Sequence, residues 1–396
     1  MKHLREYKSA WLIKAKTLIR PTINAIVTLL DRLVPDKPRR VIFGADGGHR
    51  FADNPRRLFE HMVRSGEWDP YWVTKSRHAL NEINALYPGR GLWWLSLRTL
   101  LIGLQSPLRV ISQSRADILP IGFSNRKRII HLTHGTPFKT MGLATPTANP
   151  AYIARENSTF LHMIACSDYA AGLWREAYGY PANDILTLGM PRNDLLFESD
   201  AALIDKHPFL KAKLILYAPT YRDWAPLDRL LPVGQAGLGR LIALLEAHDA
   251  YLLIRPHYFE MQSADEAIAR AGSERIINAG ATLFPDINPI LRHTDILVTD
   301  YSSIYLDFLL LDRPVIFLPA DLDRYIAERG LMLDYDSFTA GTKALDEEAF
   351  LDALALELEG RDPFAPARAK MAELFHRFHD GNSSARITRH LERIAG

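Results

Sequence analysis

The sequence has a single cysteine, Cys166, so no internal disulfide is available and the fold must be held by core burial, which fits a reducing compartment such as the cytoplasm. The uncharged run 21–30 falls far short of the roughly 20 residues that cross a bilayer, and no small-residue cleavage site follows it. Spanning and secretion are therefore not expected. Net charge is also scarce: a formal +2 over 396 residues argues against a generic nucleic-acid binder, which would carry a strongly basic face. No cysteine or carboxylate cluster accompanies His376 and His379, which lie three apart at metal-ligand spacing. They read as a solvated helix face, and no metal and no cofactor are expected. Asp46-Gly47-Gly48 has neither a full dinucleotide fingerprint nor a following Lys-Ser/Thr pair, so it reads as a tight turn near an acceptor site.

What is present is the balance of a folded enzyme, 47% hydrophobic and 10% aromatic, in a chain too long for one ordinary core. The small net charge hides an uneven distribution. Residues 1–40 hold ten basic and three acidic side chains, and removing that +7 from the total of +2 leaves the remainder at −5. Leu12, Ile19, Ile23, Ile26, Leu30 and Leu33 recur at helical spacing in the same segment, giving an apolar stripe beside the basic residues. Two readings stay open: a helix packed on the protein's own surface, or peripheral binding to an anionic membrane.

After Pro38 short β-rich runs alternate with helical stretches. Strands are expected at 41–45, 71–74, 109–112, 128–132, 163–166 and 185–188, and again at 214–217, 251–254, 275–278, 295–298 and 315–318. This is βα alternation in two series, which predicts an α/β protein of two doubly wound Rossmann-like lobes. The aperiodic stretch 197–208 separates the series. The expected organisation is a basic amphipathic membrane-associating segment at 1–38, an acceptor lobe at 39–198, a donor lobe at 199–375 and a C-terminal helix at 376–396, with the active site in the cleft.

Motifs with useful chemistry fall at the expected strand ends. Thr299-Asp300-Tyr301-Ser302-Ser303 sits between an apolar strand and a helical run, where backbone N–H groups and hydroxyls suit a diphosphate, although plain N-capping by Asp300 or Ser302 explains the pattern equally well. His134-Gly135-Thr136-Pro137 with Lys139, Thr220-Tyr221-Arg222-Asp223 and Arg255-Pro256-His257 end three other strands. A histidine can accept the proton of an attacking hydroxyl, and Arg and Lys can hold phosphate oxygens and offset developing charge.

Together with Asp53-Asn54-Pro55 and Gly189-Met190-Pro191-Arg192-Asn193-Asp194, these motifs occur in the order seen in CDP-glycerol glycerophosphotransferases of teichoic acid and capsule synthesis, which the chain resembles from about residue 40 to 386. The resemblance implies a glycosyltransferase-B type fold and attack on phosphorus with CMP leaving. It implies that His134 and His257 are catalytic, that Arg222 and Arg255 hold phosphate, and that Thr299, Asp300, Ser302 and Ser303 form the CDP-donor site, Asp300 fixing the turn or meeting the donor's hydroxyls. Lys139, Asp53, Asn54 and Arg192 are further candidates for acceptor or phosphate contact. Expected partners are CDP-glycerol or CDP-ribitol, a polyol-phosphate or lipid-linked polymer acceptor and the inner membrane face, with no nucleic acid. The alternatives are a nucleotide-sugar glycosyltransferase, which would release a nucleoside diphosphate, and a non-catalytic membrane-surface module.

Overall fold

The computed structural model describes residues 22–119, 128–222, 224, 231–256, 260–284 and 286–395. Leu12, Ile19, Asp223 and His257 lie outside the described residues. Two sheets carry the fold. The first holds β1 (Arg40–Phe43), β2 (Asp69–Thr74), β3 (Gly91–Trp93), β4 (Leu108–Ile111), β5 (Arg128–His131), β6 (Phe160–Ala165) and β7 (Ile185–Thr187) in the order β3-β2-β1-β4-β5-β6-β7. The second holds β8 (Lys213–Ala218), β9 (Ala250–Ile254), β10 (Ile276–Asn278), β11 (Ile296–Thr299), β12 (Val315–Phe317) and β13 (Thr342–Lys343) in the order β10-β9-β8-β11-β12-β13, all parallel. Order reverses between β1 and β4 and between β8 and β11, so each sheet has a switch point of the kind that receives ligands beyond the strands' carboxyl ends.

The strands form where the expected apolar runs lie because both sheet faces are covered, and a doubly covered parallel strand is buried throughout. All four residues of β1, β4 and β11 are buried. Serines that precede helical runs cap them: Ser76, Ser96 and Ser167 accept from the backbone N–H of Ala79, Thr99 and Ala170. Leu216, Leu253, Leu297, Phe308 and Phe317 centre one face of the second sheet, and Ile215, Leu252, Val298, Ile316 and Phe350 the other. β3 and β13, three and two residues long, were not expected. Edge strands of that length leave no periodicity to read.

The chain divides into two compact units, Met1–His134 with Ala154–Ile164 and Ser384–Gly396, and Gly135–Ile153 with Ala165–Ser383. In the first unit residues 22–33 are helical. Val27 and Asp31 are buried, while Ile23, Ile26, Leu29 and Leu33 are 43%, 54%, 58% and 70% exposed. The inner face has an electrostatic task. Arg109 on β4 is buried, its Nη2 donates to Gly103 O at 3.2 Å, and burial pushes its pKa down to about 9 against the opposing pull of Asp31 and Asp36. Among the described residues no helix is long and apolar enough to cross a membrane.

Two expectations near the carboxyl end are corrected. The helix Ala365–Phe375 stops before His376, whose extended backbone (φ −132°, ψ 120°) carries the ring inward, 5% exposed, with Nε2 2.6 Å from Leu306 O. Burial pushes its pKa down, so it is a structural histidine and no solvated helix face exists there. The C-terminal helix spans Ser383–Ala395; the residues from 376 to 382 before it are irregular.

Candidate active site

At the switch point of the second sheet, β8 and β11 end side by side, with Thr299 paired to Ala218. Thr299 is fully buried and its Oγ1 donates to Ala218 O at 2.8 Å, so this threonine ties the two strand ends together. The carboxylate of Asp300, a buried residue, then accepts from the backbone N–H of Thr220 at 2.9 and 3.1 Å and of Tyr301 at 2.6 Å. It also lies 2.8 Å from Arg222 Nη2. Arg222 is shared: its Nη2 donates to Asp321 Oδ1 at 2.9 Å and its Nη1 to Thr220 O at 2.9 Å, while the guanidinium lies 5.0 Å from the Tyr301 ring centroid. Burial alone would lower the pKa of Arg222, but Asp300 and Asp321 outweigh it and hold the guanidinium charged. Asp321 in turn accepts from Tyr301 Oη at 2.9 Å and Trp224 Nε1 at 3.2 Å.

Lys139 joins this cluster. It forms an antiparallel bridge with Leu331, flanked by Thr140 N to Gly330 O at 3.2 Å and Met332 N to Phe138 O at 3.0 Å. Burial lowers its pKa and the charges of Arg222 and Arg329 add to that, with Asp300 pulling the other way. An ammonium group is a compact point charge of the kind that can meet phosphate oxygens.

A second convergence lies beside the first. Gly135 has φ +136°, and a Cβ built on it would stand 2.9 Å from Arg192 Nη2 and 3.7 Å from Ser303 Oγ. The glycine of one motif, the arginine of another and the last serine of a third thus meet at one point, and the positive φ there favours a glycine. Ser302 and Ser303 are half-buried, with Ser302 Oγ 3.4 Å from Ile304 N. Cys166 is beside this point but takes no chemical part: Thr136 Oγ1 donates to its Sγ at 3.7 Å, and burial, helped by the charge of Asp307, pushes the thiol pKa up to about 12.

His134 precedes Gly135 in the chain and is exposed; Thr133, just before it, has φ +58°. In the first unit Asn54, fully buried near the start of the helix Asp53–Ser65, donates its Nδ2 to Thr133 O at 3.1 Å and so fixes the approach to His134. Asp53 is half-buried with φ +65°. His131, three residues upstream, is a different case: its Nε2 lies 2.9 Å from Ser112 O and burial drives its pKa down to about 4, so it stays neutral. Arg255 leaves β9 with its backbone N–H on Tyr217 O at 2.8 Å and its Nη1 on the carbonyls of Ala279 (2.8 Å) and Phe284 (2.5 Å), which closes the loop after β10.

The sequence reading missed Asp321 and Asp307. Each left a signal: Asp321 stands just past the end of β12, and Asp307 is the lone charge in the apolar run 304–311.

Residues 26–393 match the family described as CDP-Glycerol:Poly(glycerophosphate) glycerophosphotransferase. The chain belongs to this family. It is similar to the teichoic acid glycerol-phosphate transferase of Staphylococcus aureus, 28% identical over 94% of this chain and 97% of the relative. The teichoic acid ribitol-phosphate polymerase TarL of the same organism is 27% identical over 90% of this chain and 62% of its own length. The structure of the wall teichoic acid polymerase TagF superposes with a TM-score of 0.76 at 21% identity, covering 99% of this chain and 98% of that one. This glycerophosphotransferase therefore has the expected two-lobed, glycosyltransferase-B type α/β fold.

Proposed function

We propose that the enzyme adds glycerol phosphate from CDP-glycerol to the terminal hydroxyl of a polyol-phosphate or lipid-linked polymer, working peripherally at an anionic membrane on its cytoplasmic face. The observation that carries the residue assignment is the meeting of Gly135, Arg192 and Ser303 at one point. In this reading the acceptor hydroxyl loses its proton to His134, its oxygen bonds to the phosphorus that carries glycerol, the phosphoanhydride bond breaks, and its electrons leave with CMP. Arg192, Lys139, Ser302 and Ser303 meet the diphosphate, whose charge grows as the bridge opens. His257 and Arg255 complete the donor side. Thr299, Asp300 and Arg222 support the turn, since Asp300 and Arg222 are engaged with each other and Arg222 also with Asp321. Asp53 and Asn54 support the acceptor side.

A ribitol donor is the second reading, favoured by the similarity to a ribitol-phosphate polymerase. The test for both is CMP release by the purified protein with CDP-glycerol and with CDP-ribitol, using a lipid-linked acceptor ending in glycerol phosphate. Turnover at least about tenfold faster with CDP-glycerol is expected, a margin of about 1.4 kcal/mol. Equal rates, or a preference for CDP-ribitol, would overturn the donor assignment, and release of CDP instead of CMP would overturn the reaction.

For the membrane, the support is the exposed face formed by Ile23, Ile26, Leu29 and Leu33 in a segment of strong basic excess. Removing the whole segment is a poor test because Val27 and Asp31 are buried and Asp31 offsets Arg109. The triple variant Ile23→Ser, Ile26→Ser, Leu33→Ser changes only exposed positions. Its binding to vesicles containing anionic lipid should fall at least about tenfold with the thermal midpoint unchanged, since each side chain contributes a fraction of the roughly 1.5–3 kcal/mol of full apolar burial. Equal sedimentation of the two proteins would place the membrane contact elsewhere.

A further inference from the structure

We propose that Asp307 is a positioning residue for the transfer reaction, holding Arg192 in the one orientation in which its guanidinium meets the donor's diphosphate. The inference rests on the donor-site reading above and assigns a role to a residue that reading leaves without one. Asp307 lies four residues after Ser303, in the short helix Ile304–Phe308, and its side chain is 8% exposed. Its Oδ2 accepts from Arg192 Nη2 at 2.6 Å, and its Oδ1 accepts from Asn193 Nδ2 at 3.0 Å. Asn193 is held in turn by Asn288, whose Nδ2 is 3.4 Å from Asn193 Oδ1. The peptide before Asp307 is anchored as well, through the contact of Leu306 O with His376.

The consequence is geometric. A carboxylate with one oxygen on a fixed amide and the other on a guanidinium sets the direction of that guanidinium, and the rigid planar fork of arginine carries the direction to its remaining N–H groups. The Nη2 so fixed is the atom that would stand 2.9 Å from a Cβ on Gly135, a point itself 3.7 Å from Ser303 Oγ. A buried carboxylate this near a diphosphate would be unfavourable without a countercharge, and Arg192 supplies it. Two motifs distant in the chain, Arg192-Asn193 and Ser302-Ser303, are thereby locked to each other through one side chain.

Asp307→Asn preserves shape and removes the charge. With CDP-glycerol and the lipid-linked glycerol phosphate acceptor, kcat/KM should fall about 10–100-fold, the scale of a misplacement near 1 Å, with kcat falling more than donor KM rises because the charge on the bridge grows in the transition state. Arg192→Gln should fall at least as far, and Asp307→Asn added to Arg192→Gln should cost less than about a further twofold, since a positioning residue has nothing left to position. A thermal midpoint measured alongside separates this from packing: Asp307→Asn that loses stability but keeps kcat/KM overturns the proposal, and so do two losses that multiply. If Asp307→Asn does not fold, Asn193→Ser, which removes one of the two groups on the carboxylate, should lower kcat/KM in the same way, and an unchanged value is equally fatal. Arg192→Gln at full activity would sink the donor-site reading itself. Arg192→Gln impaired beside a silent Asp307→Asn would sink only this inference.

Discussion

His134→Ala is expected to lower kcat for CMP release by about three orders of magnitude, within the 10²–10⁴-fold that a positioned general base contributes, while donor KM moves less than about threefold. The size follows from the reaction. A polyol hydroxyl is a poor nucleophile until its proton has an acceptor, and an imidazole is the side chain best matched to that task near neutral pH. The selectivity for kcat follows from the structure: His134 is exposed, so its loss opens no cavity, and Asn54 still fixes the backbone at Thr133. Steady-state kinetics with a circular dichroism control would check it. His131 cannot stand in for His134: it is buried, its Nε2 lies 2.9 Å from Ser112 O, and burial pushes its pKa down to about 4. A His134→Ala enzyme that turns over at the wild-type rate would sink the base assignment.

How much of this was legible in the sequence depends on whether the signal was local. Both series of strands could be read because a doubly covered parallel strand is a run of apolar residues, and 41–43, 108–111 and 296–299 are buried throughout. Arg192, Gly135 and Ser303 could be named as motif members, but their meeting is a tertiary fact: they lie 57, 111 and 168 residues apart in pairs and nothing in their spacing shows it. Arg222 shows the opposite limit. At a strand end an arginine reads as a phosphate ligand, and only the structure reveals that two carboxylates already engage it, one of them on a segment 99 residues away. His376 was placed wrongly because a pair three apart fits a helix, whereas the helix ends at Phe375 and the chain turns its ring into the core.

The other large effect concerns Asp300, for which the sequence left two roles open: fixing the turn or meeting the donor's hydroxyls. Asp300→Ala should destabilise the protein by about 3–5 kcal/mol, the cost of removing one partner from a buried ion pair. The carboxylate is 4% exposed and engages the N–H groups of Thr220 and Tyr301 together with Arg222, so its loss strands the buried N–H of Tyr301, the half-buried N–H of Thr220 and part of a guanidinium's charge. Asp321 remains, but it already serves Arg222, Tyr301 and Trp224. Asp300→Asn, which keeps one acceptor oxygen and the shape, should lose less stability while still weakening donor binding. Denaturant unfolding and donor KM measured on both variants separate the two roles. A residue that only meets the donor's hydroxyls would lose affinity at full stability, whereas a residue that fixes the turn loses both together. The variants should also differ from wild type in pH dependence, because Asp300 is the charge that raises the pKa of Lys139 against burial and the cations Arg222 and Arg329. Without it Lys139 gives up its proton at a lower pH, so the alkaline loss of donor affinity begins earlier. An alkaline limb that stays in place in Asp300→Asn would mean that Lys139 does not hold the donor's phosphates.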